Sequence, residues 1–172
     1  MDNMIRSWSK PSIVNSGIFA YPAKPDLKIS WICLDDVAAD MVEALQRDNL
    51  PDGHYAIGGP EALVGDQVAE RLGEAAGKEG AFNSLTPVEF ASNMSLLVTG
   101  SVEVQPHSVY RGMVSFYRFY NVQDLSPLIA DNAKTDAIFN FKPTSLIDWA
   151  KRQDWSDPTD PALAIRMSGS MS

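Results

Sequence analysis

Apolar positions along the 172-residue chain fall in short blocks that switch between helical and strand-like spacing. Met1, Met4, Ile5 and Trp8 stand at i, i+3, i+4 and i+7, which predicts a short amphipathic helix stopped by Pro11. Residues 12–29 hold Gly17, Pro22 and Pro25 around Ile18, Phe19 and Tyr21, and predict a short ribbon or loop. Lys28 to Cys33 alternates polar and apolar side chains and runs into Asp35-Asp36. This reads as a strand followed by a helix capped by one of the two aspartates. Val37, Met41, Ala44 and Leu45 would be that helix's buried stripe, and the helix would end near Pro51.

Asp52-Gly53 is a turn, His54 to Ile57 a short strand, and Gly58-Gly59-Pro60 breaks it. A second helix spans about 62–77, with Val68, Leu72, Ala75 and Ala76 inward and Gly77 as its cap. Phe82 to Leu85 predicts another strand. Thr86-Pro87-Val88-Glu89 is a helix start: Thr86 caps, Pro87 takes the first turn, and Glu89 closes a capping box. Phe90, Met94, Leu97 and Val98 follow on that helix. Val109, Met113, Phe116, Tyr117 and Tyr120 mark the next one. Ser126 to Ala130 predicts a small helix. Pro143-Thr144-Ser145 starts the last, which carries Leu146, Trp149 and Ala150. Residues 1–155 then form one domain, and 156–172 a poorly ordered tail.

Apolar residues make up 45% and charged residues 21%, close to the globular average. The net charge of −8 repels phosphate backbones and argues against nucleic acid as a partner. No apolar run has the length of a membrane span, and no signal-peptide pattern opens the chain. A lone cysteine, Cys33, forms no internal disulfide, fits a cytoplasmic location, and reads as a small core residue.

Chemical signatures are few. There is no phosphate-binding glycine loop, and Pro60 removes an N–H from the two-glycine turn before it. His54 and His107 stand in separate segments, His54 as a half-buried strand residue and His107 in a surface loop, so no metal site is expected. Asp35-Asp36 reads as a helix cap rather than a catalytic carboxylate pair. Phe116, Tyr117, Phe119 and Tyr120 read as helix packing, part of which could wall a pocket for a flat apolar ligand.

Four segments in a fixed order carry a resemblance: 31–38 (Trp-Ile-Cys-Leu-Asp-Asp-Val-Ala), 54–60 (His-Tyr-Ala-Ile-Gly-Gly-Pro), 85–90 (Leu-Thr-Pro-Val-Glu-Phe) and 142–150 (Lys-Pro-Thr-Ser-Leu-Ile-Asp-Trp-Ala). Together they resemble the C-terminal part of NmrA-like proteins, atypical short-chain dehydrogenases/reductases. The resemblance implies an α/β fold: an incomplete Rossmann-like fragment with a small sheet and a mostly helical substrate-binding lobe. It implies NAD(P) as cofactor and a small-molecule substrate, reduced or sensed. In such proteins the segment like Asp2–Ile5 passes the nicotinamide, which makes Asn3 the cofactor-proximal candidate. The lobe like Leu85–Tyr120 covers the substrate, which makes Met94, Met113, Phe116 and Tyr117 the substrate-side candidates. The family's opening glycine-rich turn and an acid/base pair such as Tyr-x-x-x-Lys have no counterpart in these residues. The expectation is the substrate-binding half of an NAD(P)-dependent oxidoreductase, inactive alone, partnered by a homodimer mate or by a chain supplying the N-terminal half. The competing expectations are a non-catalytic ligand-binding or redox-sensing module and a protein-interaction domain.

Overall fold

The computed structural model describes residues 1–139 and 142–156. The tail expected from residue 156 lies outside them, apart from Ser156. The fold is α/β and mostly helical, with two small two-stranded sheets. Strand β1 (Ile18–Tyr21) pairs in parallel with β4 (Ala81–Ser84), in the register Ile18 to Ala81 and Tyr21 to Ser84. Strand β2 (Ile29–Ser30) pairs antiparallel with β3 (Ala62–Leu63). Seven helices accompany them among the described residues: α1 (Lys10–Ser16), α2 (Leu34–Leu45), α3 (Gly65–Ala76), α4 (Pro87–Thr99), α5 (Val109–Asn121), α6 (Ala133–Ile138) and α7 (Leu146–Lys151).

Helix α3 lies across the β1–β4 pair and also touches α1 and α7. Its Val68, Ala69 and Leu72 are buried, and Phe19, Ile13, Leu146 and Trp149 close around them. Fully burying one such aliphatic side chain contributes about 1.5–3 kcal/mol, so this layer is the main core. Cys33 belongs to it as a small apolar residue, and burial pushes its thiol above the ordinary range. Helices α4 and α5 pack on each other. Asn121 ties α5 to the end of β1. Its Nδ2 donates to the Pro22 carbonyl at 2.9 Å, and its Oδ1 accepts from the Lys24 N–H at 2.6 Å.

Several local expectations change. Pro11 stands in the first turn of α1, where a missing N–H costs nothing, so it starts a helix rather than stopping one. The segment before it is a short 3-10 turn, Asp2–Ile5, whose Asp2 carboxylate accepts from the Leu34 N–H at 2.8 Å. Neither Asp35 nor Asp36 caps α2, because the helix already begins at Leu34, after Cys33. Asp36 points inward instead and accepts from the Thr144 N–H at 2.6 Å and the Thr144 hydroxyl at 3.0 Å. That bond turns the expected face of α2 over. Asp36 and Asp40 are buried, Val37 and Ala44 half-buried, while Met41 is 60% and Leu45 86% exposed.

His54–Ile57 forms no strand, and His54 is exposed. Side chains reach this segment where a ladder was expected: the Thr135 hydroxyl donates to the Ala56 carbonyl at 2.5 Å. The second helix starts at Gly65, since 62–63 pairs as β3. Val98 and Val109 face solvent rather than the lobe interior. Ser126–Ala130 is not a helix. It runs along β2, with the Ser30 N–H donating to Leu128 and the Ala130 N–H to the Ser30 hydroxyl. The helix of that region is α6, which apolar spacing did not announce.

The start of α4 stands as read. Glu89 N–H donates to the Thr86 hydroxyl at 3.2 Å, and the Thr86 N–H donates to the Glu89 carboxylate at 2.7 Å. These bonds hold the Glu89 carboxyl below its ordinary value. The box is therefore complete above the ordinary carboxylate range and is lost as pH falls through the lowered folded value. Replacing Thr86 with alanine is expected to lower stability by about 1 kcal/mol, read as a shifted denaturant midpoint at unchanged slope. An unchanged midpoint would show that the box contributes nothing.

Candidate functional site

Parallel strands β1 and β4 end together at Tyr21 and Ser84. Ligands in open α/β sheets bind beyond such carboxyl ends. There an apolar pocket of about 200 Å³ lies between the strand ends, the first segment and α4. Trp8, Leu85, Phe90, Met94 and Leu97 supply its walls, and Ser7 and Asn93 its polar groups. The capping box sets the first turn of α4, which aims Phe90 inward at 4% exposure and places Met94 one turn on.

A layer of rings backs the pocket. Trp8 meets Phe90 edge-on at 5.4 Å, Phe90 meets Tyr117 at 5.3 Å, and Tyr117 meets Tyr21 at 5.6 Å. Tyr21 in turn meets Trp31 at 5.2 Å. Edge-to-face pairs of this kind add roughly 0.5–1.5 kcal/mol each beyond area burial. Burial raises the Tyr21 phenol well above its usual range, and Tyr117 beside it adds to the rise. Burial raises Tyr117 too, partly offset by its hydrogen bond with Tyr21.

The expected site residues divide. Met94 lines the pocket. Tyr117 stands behind Phe90 and is half-buried. Met113 is half-buried on α5, Phe116 is 54% exposed, and neither reaches the pocket wall. Asn3 is exposed on the 3-10 turn, away from this pocket. Trp8, Leu85 and Asn93 line it without having been singled out. The sequence marks Trp8 as part of a helix stripe and Leu85 as a strand end and the start of the lobe, without marking either as a site residue.

None of the residues on the pocket wall carries an ionisable side chain. Gly58 and Gly59 do not form a phosphate cradle. Both are buried, and a Cβ on Gly59 would run into the Trp31 carbonyl. Their small size lets the chain lie against β2, which is the role the packing gives this turn. A wider cleft of about 750 Å³ opens elsewhere, between the β2–β3 pair, α6 and the segment at Pro143. Among the described residues no group of three His, Cys, Asp or Glu side chains could hold a metal ion, and no helix is long and apolar enough to cross a membrane.

The fold defined by β1, β4, α3 and the helical lobe has a counterpart. A nucleoside-diphosphate-sugar epimerase from Staphylococcus aureus superposes with a TM-score of 0.62 at 20% identity, over 83% of this chain and 46% of that one. The likeness shows an α/β fold of that enzyme's kind. An NAD(P)H azoreductase of Xenophilus azovorans is 39% identical over 59 residues, 34% of this chain and 21% of that protein. The chain thus spans less than half the length of the proteins it matches. No family model matches the sequence.

The ring layer makes a test at alkaline pH. The folded chain holds the Tyr21 and Tyr117 protons above the usual value of 10.0. Stability is therefore intact below that pH and falls as pH climbs from there through the raised folded values. Absorbance titration is expected to show these two phenols ionising only as the chain unfolds, with tyrosinate signal and loss of helix coinciding. Full ionisation of all five tyrosines in a chain that keeps its circular dichroism would overturn the packing described.

Proposed function

We propose that this chain is the substrate-binding part of an NAD(P)-dependent oxidoreductase of the NmrA-like kind. The observation that carries the reading is the apolar pocket beyond the parallel strand ends, walled by Trp8, Phe90 and Met94. The azoreductase and epimerase likenesses support it, since both are enzymes of small organic substrates by name. In this reading the pocket takes a flat apolar molecule, with Ser7 and Asn93 fixing its polar end. The dinucleotide, and the proton donor that the pocket wall lacks, come from a separate dinucleotide-binding half. Asn3, on the exposed turn, is the residue of this chain that faces that half, in a cytoplasmic enzyme.

The apolar stripe on the outside of α2, with Leu34, Met41 and Leu45 exposed, is the surface for that half or for a second copy of the chain. The wall's lack of titratable groups favours one further reading: a non-catalytic module that binds or senses a small molecule without turning it over.

Two titrations test the proposal. A quinone such as menadione is expected to quench part of the tryptophan fluorescence saturably, through Trp8 on the pocket wall, and Met94→Trp, which fills the pocket, is expected to abolish the saturable effect. NADPH, titrated calorimetrically into the 172-residue chain, is expected to bind no tighter than about 1 μM, a level worth about 8 kcal/mol. Quenching that survives in Met94→Trp would move the substrate site elsewhere. Tight NADPH binding would make the separate dinucleotide-binding half unnecessary.

A further inference from the structure

Beneath the wide cleft lies a hollow of about 10 Å³, room for one atom the size of a water oxygen. Asp40, Asn132, Thr135 and Asp136 supply its polar lining, and Phe139 and Pro143 its apolar side. Asp40 is 93% buried, taking its 7% exposure from the whole, and its Oδ1 has no hydrogen-bond partner. The Asn132 Oδ1 has none either, while its Nδ2 donates to the Gly58 carbonyl at 2.9 Å. Thr135 spends its hydroxyl proton on the Ala56 carbonyl. Asp136 is a carboxylate at the exposed edge. The Asp40 carboxylate, the Asn132 Oδ1, the Thr135 hydroxyl oxygen and the Asp136 carboxylate thus present acceptors around the hollow. A buried acceptor without a donor costs about 1–3 kcal/mol, more when charged, so the arrangement calls for a donor-rich occupant.

The surrounding charge has the same sense. Asp36 and Glu43 on α2 and Asp136 on α6 bear on Asp40, and burial together with these charges raises its carboxyl above the ordinary value. Two nearby cations are engaged elsewhere. Arg47 holds Glu43 at 2.6 Å and lies over the Phe139 ring. Lys134 lies over the Tyr55 ring at 4.4 Å. Lys142 is exposed, on the wall of the wide cleft. A water in the hollow would donate two protons and leave the negative charge unanswered. A primary ammonium donates three and answers it.

We propose that the hollow binds the ammonium group of a small primary amine whose apolar body lies in the cleft above. Phe139, Pro143, Ile129 and Pro60 offer the apolar contact, and the cleft of about 750 Å³ holds a body the size of an aryl-alkyl chain. The site is separate from the pocket at Met94 and stands whether or not that pocket takes a reductase substrate.

Calorimetry with phenethylamine, its neutral isostere phenethyl alcohol and its trimethylammonium analogue tests the site on the 172-residue chain. The amine is expected to bind with sub-millimolar affinity, and the alcohol and the quaternary analogue to bind at least about tenfold more weakly, the loss of one charge-assisted hydrogen bond. Amine binding favours ionised Asp40, so affinity is expected to drop as pH falls through the carboxylate range, with proton release that scales with buffer ionisation heat. Asp40→Asn is expected to abolish this pH dependence and weaken binding. Asp136→Asn, at an exposed position where a substitution costs little stability, is expected to weaken binding severalfold and keeps the test decisive if Asp40→Asn fails to fold. Equal binding of amine and alcohol would overturn the proposal. So would no binding at millimolar amine, which would mean a water only, or affinity unchanged in Asp136→Asn.

Discussion

The seat of α3 on the β1–β4 pair is the contact on which the rest of the molecule depends. The approach is so close that Gly80, leading into β4, has no room for a side chain. A Cβ there would meet the Ala69 carbonyl of α3. With the backbones in contact, Val68 and Leu72 reach through to Phe19 and are removed from water entirely or almost so. Helices α1 and α7 then close on α3 from outside. The Lys151–Glu74 ion pair across that outer contact, at 2.8 Å, is exposed on both sides and adds little to it. Packing, not charge, holds this layer.

That seat also fixes where β1 and β4 end, and so where a ligand can lie. Tyr21 closes β1 and carries the ring layer toward Tyr117 of α5 and Phe90 of α4. Asn121 clamps the far end of α5 to the loop after β1. The helical lobe is therefore attached to the end of β1 twice, by the rings at Tyr117 and, one turn further along α5, by the Asn121 side-chain amide. A pocket held this way is preformed, which lowers the ordering cost of binding.

The elements legible in the sequence are those whose signal is local. Thr86, Pro87 and Glu89 announce α4 because a capping box is made within four residues, and Gly77 ends α3 for the same reason. The α/β class, the core role of Cys33 and the start of α7 at Ser145 follow likewise. What was not legible depends on contacts distant in sequence. Ser126–Ala130 is a turn and loop held against β2, which lies roughly a hundred residues earlier in the chain. His54–Ile57 has strand-like composition but no ladder among the described residues, and composition alone does not make a strand. The resemblance of the Leu85–Tyr120 lobe marks both Met94 and Phe116, and of the two only Met94 lines the pocket. Phe116 was not separable from Met94 by spacing, since helical periodicity marks an apolar stripe without saying what covers it.

Helix α2 shows how one such distant contact can reverse a face. By apolar spacing alone, Val37, Met41, Ala44 and Leu45 should be inside. The two bonds from Thr144 to Asp36 select the opposite rotation, and charge-assisted hydrogen bonds to a buried carboxylate are among the strong ones. Asp40, one turn on, is carried inside with Asp36 and left over the acceptor-lined hollow. The same rotation leaves the apolar stripe in water. Each large side chain so exposed forgoes a stabilisation of about 1.5–3 kcal/mol that burial would give. Both surfaces of α2 are therefore incomplete in this chain, the inner one in hydrogen-bond donors and the outer one in apolar contact. The two deficits are independent, because a donor group in the hollow leaves Met41 and Leu45 in water, and a protein surface over Met41 and Leu45 supplies nothing to Asp40.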